Sequence, residues 1–196
     1  QNTTESERIT TLTVTGNTLA PENVTITQSL HVFSFVTICN QVWMDKNLDV
    51  DAYRNGDPIP KVTDPAAWVK LTTGAYCYYN NDSAAYAGIY GKLYNWYALK
   101  DPRGLAPAGW HVPSEAEWND LIYCLGGKTV AGGKMKDVSG LWQSPNTGAS
   151  NSSGFTGLPG GINKGGYNYM GQMGLWWSRT ESFPTPLPEY AIARGL

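Results

Sequence analysis

The stretch at residues 109–122 constrains the fold most, because it carries the start of a helix in its own sequence. Ser114 is a good N-cap, since its hydroxyl can accept a hydrogen bond from an amide of the first turn. Glu117 follows three residues later and completes a capping box. Apolar residues then recur at helical spacing: Trp118, Leu121, Ile122 and Leu125. The pair Gly126-Gly127 predicts the helix end, because glycine adopts the left-handed C′ conformation without steric cost.

The rest of the chain predicts a mixture of helices and strands. Asp64 with Pro65 predicts the start of a short helix, and the spacing of apolar residues predicts a second principal helix over residues 90–99. Strands are predicted at residues 12–15, 24–27, 36–48, 75–79, 131–136, 175–181 and from 190 onward. Residues 154–162 are predicted to form a glycine-dense strand and turn, and residues 165–171 a hairpin. In the strand predicted at residues 175–181, Trp176 and Trp177 should face opposite sides, with one of them in the core and the other nearer the surface. Val42, Trp43 and Met44 are expected to enter the core, and residues 141–153 and 182–188 are expected to be loops.

Composition excludes two classes of function. Net charge is −2 and no basic run is present, whereas nucleic-acid binding needs clustered Lys and Arg. No apolar run approaches the ~20 residues of a membrane span. Only 15% of residues are charged, and the chain is rich in Gly, Asn, Tyr and Trp, which favours an extracellular, loop-rich domain.

The three cysteines, Cys39, Cys77 and Cys124, form no Cys-x-x-Cys pair, and with only two His a zinc site is not favoured. The odd number leaves at least one thiol unpaired within the chain, and the pairing stays open. Cys124 lies on the apolar side of the predicted helix, so we expect it to fill core space as a small hydrophobe.

Six blocks in fixed order resemble the Fibrobacter succinogenes major paralogous domain. The block at residues 109–118, Gly-Trp-His-Val-Pro-Ser-Glu-Ala-Glu-Trp, is similar to its signature. The others are residues 40–48, 53–60, 90–97, 154–161 and 176–181. Together they place the domain at residues 36–196. The Ser-Val-Arg-Cys block typical of the family is absent, so we expect either an incomplete C-terminal end or a sheet that is completed elsewhere.

The resemblance implies an α+β fold similar to C-type-lectin-like and formylglycine-generating-enzyme-like domains: a twisted, mostly antiparallel sheet, two main helices and long loops. It also implies a secreted or cell-surface protein. Formylglycine-generating chemistry would need a reactive Cys near the C-terminal end, and no Cys follows Cys124. Residues 1–35 precede the domain, and we expect them to form a β-rich attachment segment or linker through which an assembly partner could bind.

Two clusters invite a chemical interpretation and are better explained structurally. His111, Glu115 and Glu117 could form an acid–base site, but carboxylates at a helix N-terminus are expected as caps. Asp49, Asp51 and Asp57 lie around one loop and form a weak candidate for a structural calcium ion, which prefers loop oxygens. They lack the EF-hand spacing, so solvated loop charge is favoured. His31 has no partner nearby in the sequence and is expected to be a solvated strand residue.

The most suggestive binding surface is the last third of the chain. Its candidate residues are Asn163, Tyr167, Asn168, Tyr169, Gln172, Trp176 and Arg179. Tyr and Asn on loops are typical of antibody-like binding surfaces, because rigid rings supply contact area and amides adapt their hydrogen bonds. We therefore expect a non-enzymatic extracellular binding or adhesion module for a glycan or protein, without a catalytic residue or an obligatory cofactor. The alternatives are an accessory subunit of a bacterial surface machine or phage-like fibre, and an enzyme related to formylglycine-generating proteins.

Overall fold

The computed structural model describes residues 8–16, 19–28, 33–181 and 191–196 of the chain. His31 and the predicted loop at residues 182–188 lie outside the described residues. The chain divides into two compact units, residues 1–33 and residues 34–196. No helix in the described ranges is long and apolar enough to cross a membrane.

The first unit is a two-stranded antiparallel ribbon. Strand β1 (Arg8–Gly16) pairs with β2 (Leu19–Gln28), and Leu12 lies opposite Val24 in the register. The two strands predicted from alternating residues around Gly16 are therefore confirmed. A two-stranded ribbon alone is marginally stable in water.

The second unit is an α+β fold of short elements. Its strands are β3 (Phe35–Ile38), β4 (Gln41–Met44), β5 (Tyr76–Cys77), β6 (Leu93–Tyr94), β7 (Gly160–Asn163), β8 (Tyr167–Met170), β9 (Leu175–Glu181) and β10 (Ala191–Gly195). Its α-helices are α1 (Pro65–Trp68), α2 (Ser83–Tyr90), α3 (Trp96–Lys100), α4 (Glu115–Cys124) and α5 (Ala131–Met135). A 3₁₀ turn, Tyr79–Asn81, precedes α2. All strand pairing between named strands is antiparallel, but in the described residues it forms two-stranded ribbons (β3–β4, β5–β6, β7–β8, β9–β10) and not the single predicted sheet.

Helix α4 has the predicted capping chemistry at both ends. The Ser114 hydroxyl accepts from the Glu117 amide at 3.3 Å, and the Glu117 carboxylate accepts from the Ser114 amide at 2.7 Å. At the other end, the Gly126 amide donates to the carbonyl of Tyr123 and the Gly127 amide donates to that of Ile122. These two bonds form a Schellman motif, for which Gly126 has φ +103°.

The helix predicted over residues 90–99 is wrong, because two local features interrupt it. Gly91 has φ +68°, and a Cβ there would lie 3.1 Å from the Leu48 carbonyl oxygen. Asn95 then begins α3 as its N-cap, with its side-chain oxygen 3.0 Å from the Ala98 amide. The preceding helix, α2, instead starts at the Asp82 cap.

Two further predictions are corrected by packing. Residues 131–135 form α5 and not a strand, and Gly133 is required there because a Cβ would lie 2.2 Å from the Gly148 carbonyl oxygen. Val42 is 40% exposed, while its neighbour Trp43 packs against the core on the opposite face of β4. The predicted helix α1 is confirmed, with the Asp64 carboxylate 2.6 Å from the Ala67 amide.

The core consists of three apolar clusters. The first contains Ile38, Trp118, Leu121, Leu125, Ala131, Met135 and Phe155. The second contains Tyr53, Ile59, Tyr94, Ala98 and Leu105, and the third contains Trp68, Ala75 and Cys77. The predicted stripe of α4 therefore faces the first cluster, with Ile122 packed partly against it.

A disulfide joins Cys39 to Cys124, so the expectation that Cys124 fills the core is wrong. Both cysteines are exposed, with their Cα atoms 6.6 Å apart, within the range that a disulfide spans. Cys39 lies in the turn between β3 and β4, and Cys124 is the last residue of α4. Cys77 is the unpaired thiol; it is fully buried, and burial raises its pKa.

Candidate functional site

The candidate surface centres on the β7–β8 hairpin and the turn that follows it. In the hairpin, Asn163 pairs with Tyr167 across the turn and Ile162 pairs with Asn168. The Asn163 side-chain oxygen accepts from the Gly165 amide at 3.0 Å, which stabilises the turn at a residue with φ +85°. Glycine suits this position because it adopts a positive φ without a Cβ clash.

Two predicted site residues support the hairpin from beneath. The Tyr167 hydroxyl donates to the side-chain oxygen of Asn81 at 2.7 Å, and the side-chain nitrogen of Asn163 donates to the Cys77 sulfur at 3.3 Å. Tyr167 packs against the third core cluster, and burial raises its pKa. Asn163 and Tyr167 are both half-buried, so their observed polar contacts hold the hairpin to the body of the unit.

Three predicted site residues lie at the surface. Asn168 and Gln172 are exposed, and Tyr169 is 49% exposed. Tyr169 also has φ +63°, in the left-handed region that is unusual for a bulky residue. Its carbonyl accepts from the amides of Gln172 and Met173, at 3.0 Å and 3.1 Å, which holds the backbone in this conformation.

The last two predicted residues lie on β9 and point to different surroundings. The Trp176 indole donates to the side-chain oxygen of Asn47 at 3.0 Å, and its ring packs on the first core cluster. Arg179 is exposed, with a guanidinium nitrogen 3.9 Å from a Glu117 carboxylate oxygen, beside the first turn of α4. The structure therefore places Asn168, Tyr169 and Gln172 at the surface within one five-residue segment. Trp176 faces the core.

Trp176 and Trp177 have the opposite orientations predicted for neighbours on a strand. The Trp177 indole donates to the Tyr94 carbonyl at 2.8 Å, and its ring centroid is 6.1 Å from that of Trp96. Both indoles are half-buried. That one of them lies nearer the surface stays a prediction.

A row of tyrosines beside the hairpin was missed from the sequence. The ring centroids of Tyr79 and Tyr167 are 5.3 Å apart, those of Tyr79 and Tyr86 are 5.3 Å apart, and those of Tyr86 and Tyr90 are 6.1 Å apart. The available signal was the i, i+4 spacing of Tyr86 and Tyr90 after a capping residue, Asp82. We call Tyr79, Tyr86, Tyr90 and Tyr167 the tyrosine row.

The charges at the start of α4 have a structural role. Partial burial acts to raise the pKa of Glu117, but hydrogen bonds from the Ser114 amide and hydroxyl and from His111 outweigh it and hold the pKa at about 2. The His111 ring nitrogen lies 2.7 Å from Glu117. Glu115 pairs with Arg194 at 2.8 Å, which ties the helix to β10.

The acidic loop is engaged in ion pairs. The Asp49 carboxylate lies 2.7 Å from the Lys92 ammonium, and the Asp57 carboxylate lies 3.1 Å from the Arg103 guanidinium. Asp51 is exposed, and its carbonyl accepts from the Ile59 amide. Within the described ranges, no group of three or more His, Cys, Asp or Glu side chains is arranged to hold a metal ion.

Comparison with known proteins identifies the family of this chain. Neither the curated proteins nor the solved structures give a match. A sequence model of the Fibrobacter succinogenes major domain matches residues 36–193, which is most of the chain, with the capping box of α4, the β7–β8 hairpin and β9 inside the match. The chain therefore belongs to the Fibrobacter succinogenes major domain family.

Proposed function

We propose that this chain is a non-enzymatic extracellular binding module that presents the β7–β8 hairpin and the turn after it to a glycan or a protein. The finer fold assignment, a C-type-lectin-like domain, is part of the proposal, because domains of that type carry ligands on the corresponding loop region. The mixed α+β architecture, with antiparallel strand pairs and long loops, supports it.

The observation that carries the proposal is the conformation of Tyr169. A non-glycine residue in the left-handed region costs roughly 1–3 kcal/mol, and such residues cluster at functional sites. Tyr169 has φ +63° and keeps half of its surface exposed, so its ring does not recover that cost by burial in the core. A glycine would satisfy the same backbone without strain. We infer that the tyrosine side chain is retained for contact with a ligand.

The disulfide supports the extracellular location. Disulfides form and persist in oxidising compartments and are rare in the reducing cytosol. The bond between Cys39 and Cys124 joins two exposed residues on the surface of the second unit, where cytosolic reductants would reach it.

Replacement of Tyr169 by glycine separates function from folding. The Tyr169→Gly variant should unfold at the same or a higher urea concentration than the wild type, because the backbone strain is removed. Its binding to an array of glycans and extracellular proteins should fall, while Tyr123→Ala, which removes a 72% exposed tyrosine from α4, should change neither property. A Tyr169→Gly variant with lower stability and unchanged binding would refute the proposal.

A second function is favoured by the separate first unit. The β1–β2 ribbon forms its own compact unit, and such a ribbon is marginally stable without a partner. We therefore propose attachment to an assembly partner through residues 1–35 as the alternative. Co-purification with one defined partner that requires residues 1–35, together with no array binding by the wild type, would favour this structural role.

A further inference from the structure

The tyrosine row extends the candidate surface from the hairpin along α2. Tyr167 on β8 contacts Tyr79 in the 3₁₀ turn, Tyr79 contacts Tyr86, and Tyr86 contacts Tyr90 one helical turn further on. The rings are mutually tilted by 44–62°, which is a favourable arrangement for aromatic pairs. The row is therefore an ordered aromatic surface built from three separate elements.

Glycines in β7 let these rings lie directly on the sheet backbone. A Cβ at Gly161 would lie 2.8 Å from the Tyr79 ring, and a Cβ at Gly160 would lie 3.6 Å from the Tyr90 ring. Gly161 has φ +65°, so its backbone also favours glycine. The main chain of β7 therefore lies directly behind the rings of Tyr79 and Tyr90.

The row keeps hydrogen-bonding groups available to a ligand. All four tyrosines are half-buried, so part of each side chain faces solvent. The Tyr167 hydroxyl is engaged with Asn81. In the part of the chain that the structure describes, the hydroxyls of Tyr79, Tyr86 and Tyr90 are neither buried nor hydrogen-bonded. Each of these three residues therefore offers an apolar ring together with an unengaged hydroxyl.

The surroundings of the row carry almost no charge. Helix α2 contains no charged residue, and Lys164 is the one charged residue among residues 154–178. The Asp82 carboxylate caps α2 at 3.0 Å from the Ala85 amide. Asp137, which acts electrostatically on Tyr90, is buried and accepts hydrogen bonds from Ser139. An anionic ligand would find few cationic side chains here to pair with. The affinity of this surface for its ligand should therefore depend little on salt concentration.

From these observations we infer that the ligand is a neutral oligosaccharide bound along the tyrosine row, an inference that rests on the proposed function. A sugar ring has an apolar face and a rim of hydroxyls. Tyrosine matches both, since its ring is apolar and its hydroxyl can donate and accept hydrogen bonds. A surface that alternates rings and hydroxyls without charge fits an uncharged sugar chain better than a charged one.

The test is calorimetric titration of the full chain with neutral hexasaccharides (cellohexaose, xylohexaose and mannohexaose) and with charged ones (hexagalacturonic acid and a heparin hexasaccharide). At least one neutral sugar should bind, with an affinity that is the same at low and high salt. Tyr86→Ala should weaken that binding by about tenfold or more, which corresponds to about 1.4 kcal/mol. Tyr86→Phe, which keeps the ring, should lose less, and Tyr123→Ala should lose nothing.

Thermal melts of each variant establish that folding is intact. If Tyr86→Ala unfolds, Tyr86→Phe replaces it as the variant whose binding is compared with that of the wild type. Binding restricted to the charged sugars, or neutral-sugar binding that Tyr86→Ala leaves unchanged, overturns the inference. Binding of a protein alone, lost in Tyr169→Gly and kept in Tyr86→Ala, overturns the sugar assignment and leaves the binding module standing. Neutral-sugar binding that depends on Tyr86 but not on Tyr169 would support the row and move the proposed site away from the hairpin.

Discussion

Removal of the Cys39–Cys124 disulfide should lower the stability of the second unit substantially. The bond closes a loop between residues 85 apart in the sequence. In the chain-entropy model, a loop of that length restricts the unfolded state by about 4.5 kcal/mol at 25 °C. For a domain of this size, the loss corresponds to a fall in the melting temperature of roughly 10–20 °C.

The measurement compares urea unfolding of the oxidised wild type, the wild type in dithiothreitol and the Cys39→Ser/Cys124→Ser double variant. Both positions are exposed, so serine leaves no buried polar group. The last two samples should unfold at the same urea concentration, well below the oxidised protein. Reductant should not affect the double variant, because its remaining cysteine, Cys77, is an unpaired buried thiol.

Thiol titration in denaturant provides the control on bond content. Of the three cysteines, one should react in the oxidised protein and all three should react after reduction. If reduced and oxidised wild type unfold at the same urea concentration despite these counts, the loop-closure reasoning is wrong for this fold.

Three further outcomes are expected. The pKa of Glu117 is lowered to about 2 from 4.5. The stability that its carboxylate contributes is therefore complete above about pH 4.5 and is lost as the pH falls towards 2. In urea titrations, the stability difference between wild type and Glu117→Gln should shrink over that pH range. Gly161→Ala should cost at least about 2 kcal/mol, because its Cβ would lie 2.5 Å from a carbonyl oxygen, whereas Gly140→Ala, with a similar positive φ and open space, should cost only the backbone strain of about 1 kcal/mol. Asn95→Ala should cost about 2 kcal/mol, because the cap and an amide partner in the preceding segment are both lost. Asn95→Asp keeps the accepting oxygen but loses the 2.8 Å bond that the side-chain nitrogen donates to the Thr73 carbonyl, so it should recover only part of that stability in the same unfolding assay.

The elements predicted correctly from sequence carry their determinants within a few residues. Ser114 and Glu117 specify the start of α4, and Gly126-Gly127 specifies its end. Asp64 specifies the start of α1 in the same way. Caps and turns are local, so sequence alone is sufficient for them.

The errors arose where distant contacts decide the structure. Cys39 and Cys124 are joined across 85 residues, and nothing near either position identifies its partner. Gly133 belongs to a helix because it packs against Gly148, although adjacent glycines favour neither helix nor strand by propensity. Helix α2 has no buried residue, so it lacks the apolar stripe by which helices are recognised.

The candidate surface was predicted in composition more than in geometry. Tyr169 and Asn168 are exposed on the hairpin, whereas Tyr167 and Asn163 use polar atoms to anchor it. Trp176 lies on β9, and its indole donates to Asn47. Alternation along a strand would place Tyr167 and Tyr169 on the same face. The positive φ of Tyr169 interrupts this alternation. That backbone conformation depends on hydrogen bonds from the amides of the following turn, which the sequence pattern does not reveal.

The division of the core into three clusters has a consequence for how this domain can diversify. Tyr167 and the hairpin rest on the cluster around Trp68 and Cys77, whereas the cluster around Trp118 and Leu121 lies beneath the disulfide-linked helix. Substitutions at separated sites have nearly independent effects on stability. The hairpin can therefore tolerate changes of its side chains while the Trp118 cluster and the covalent link preserve the scaffold.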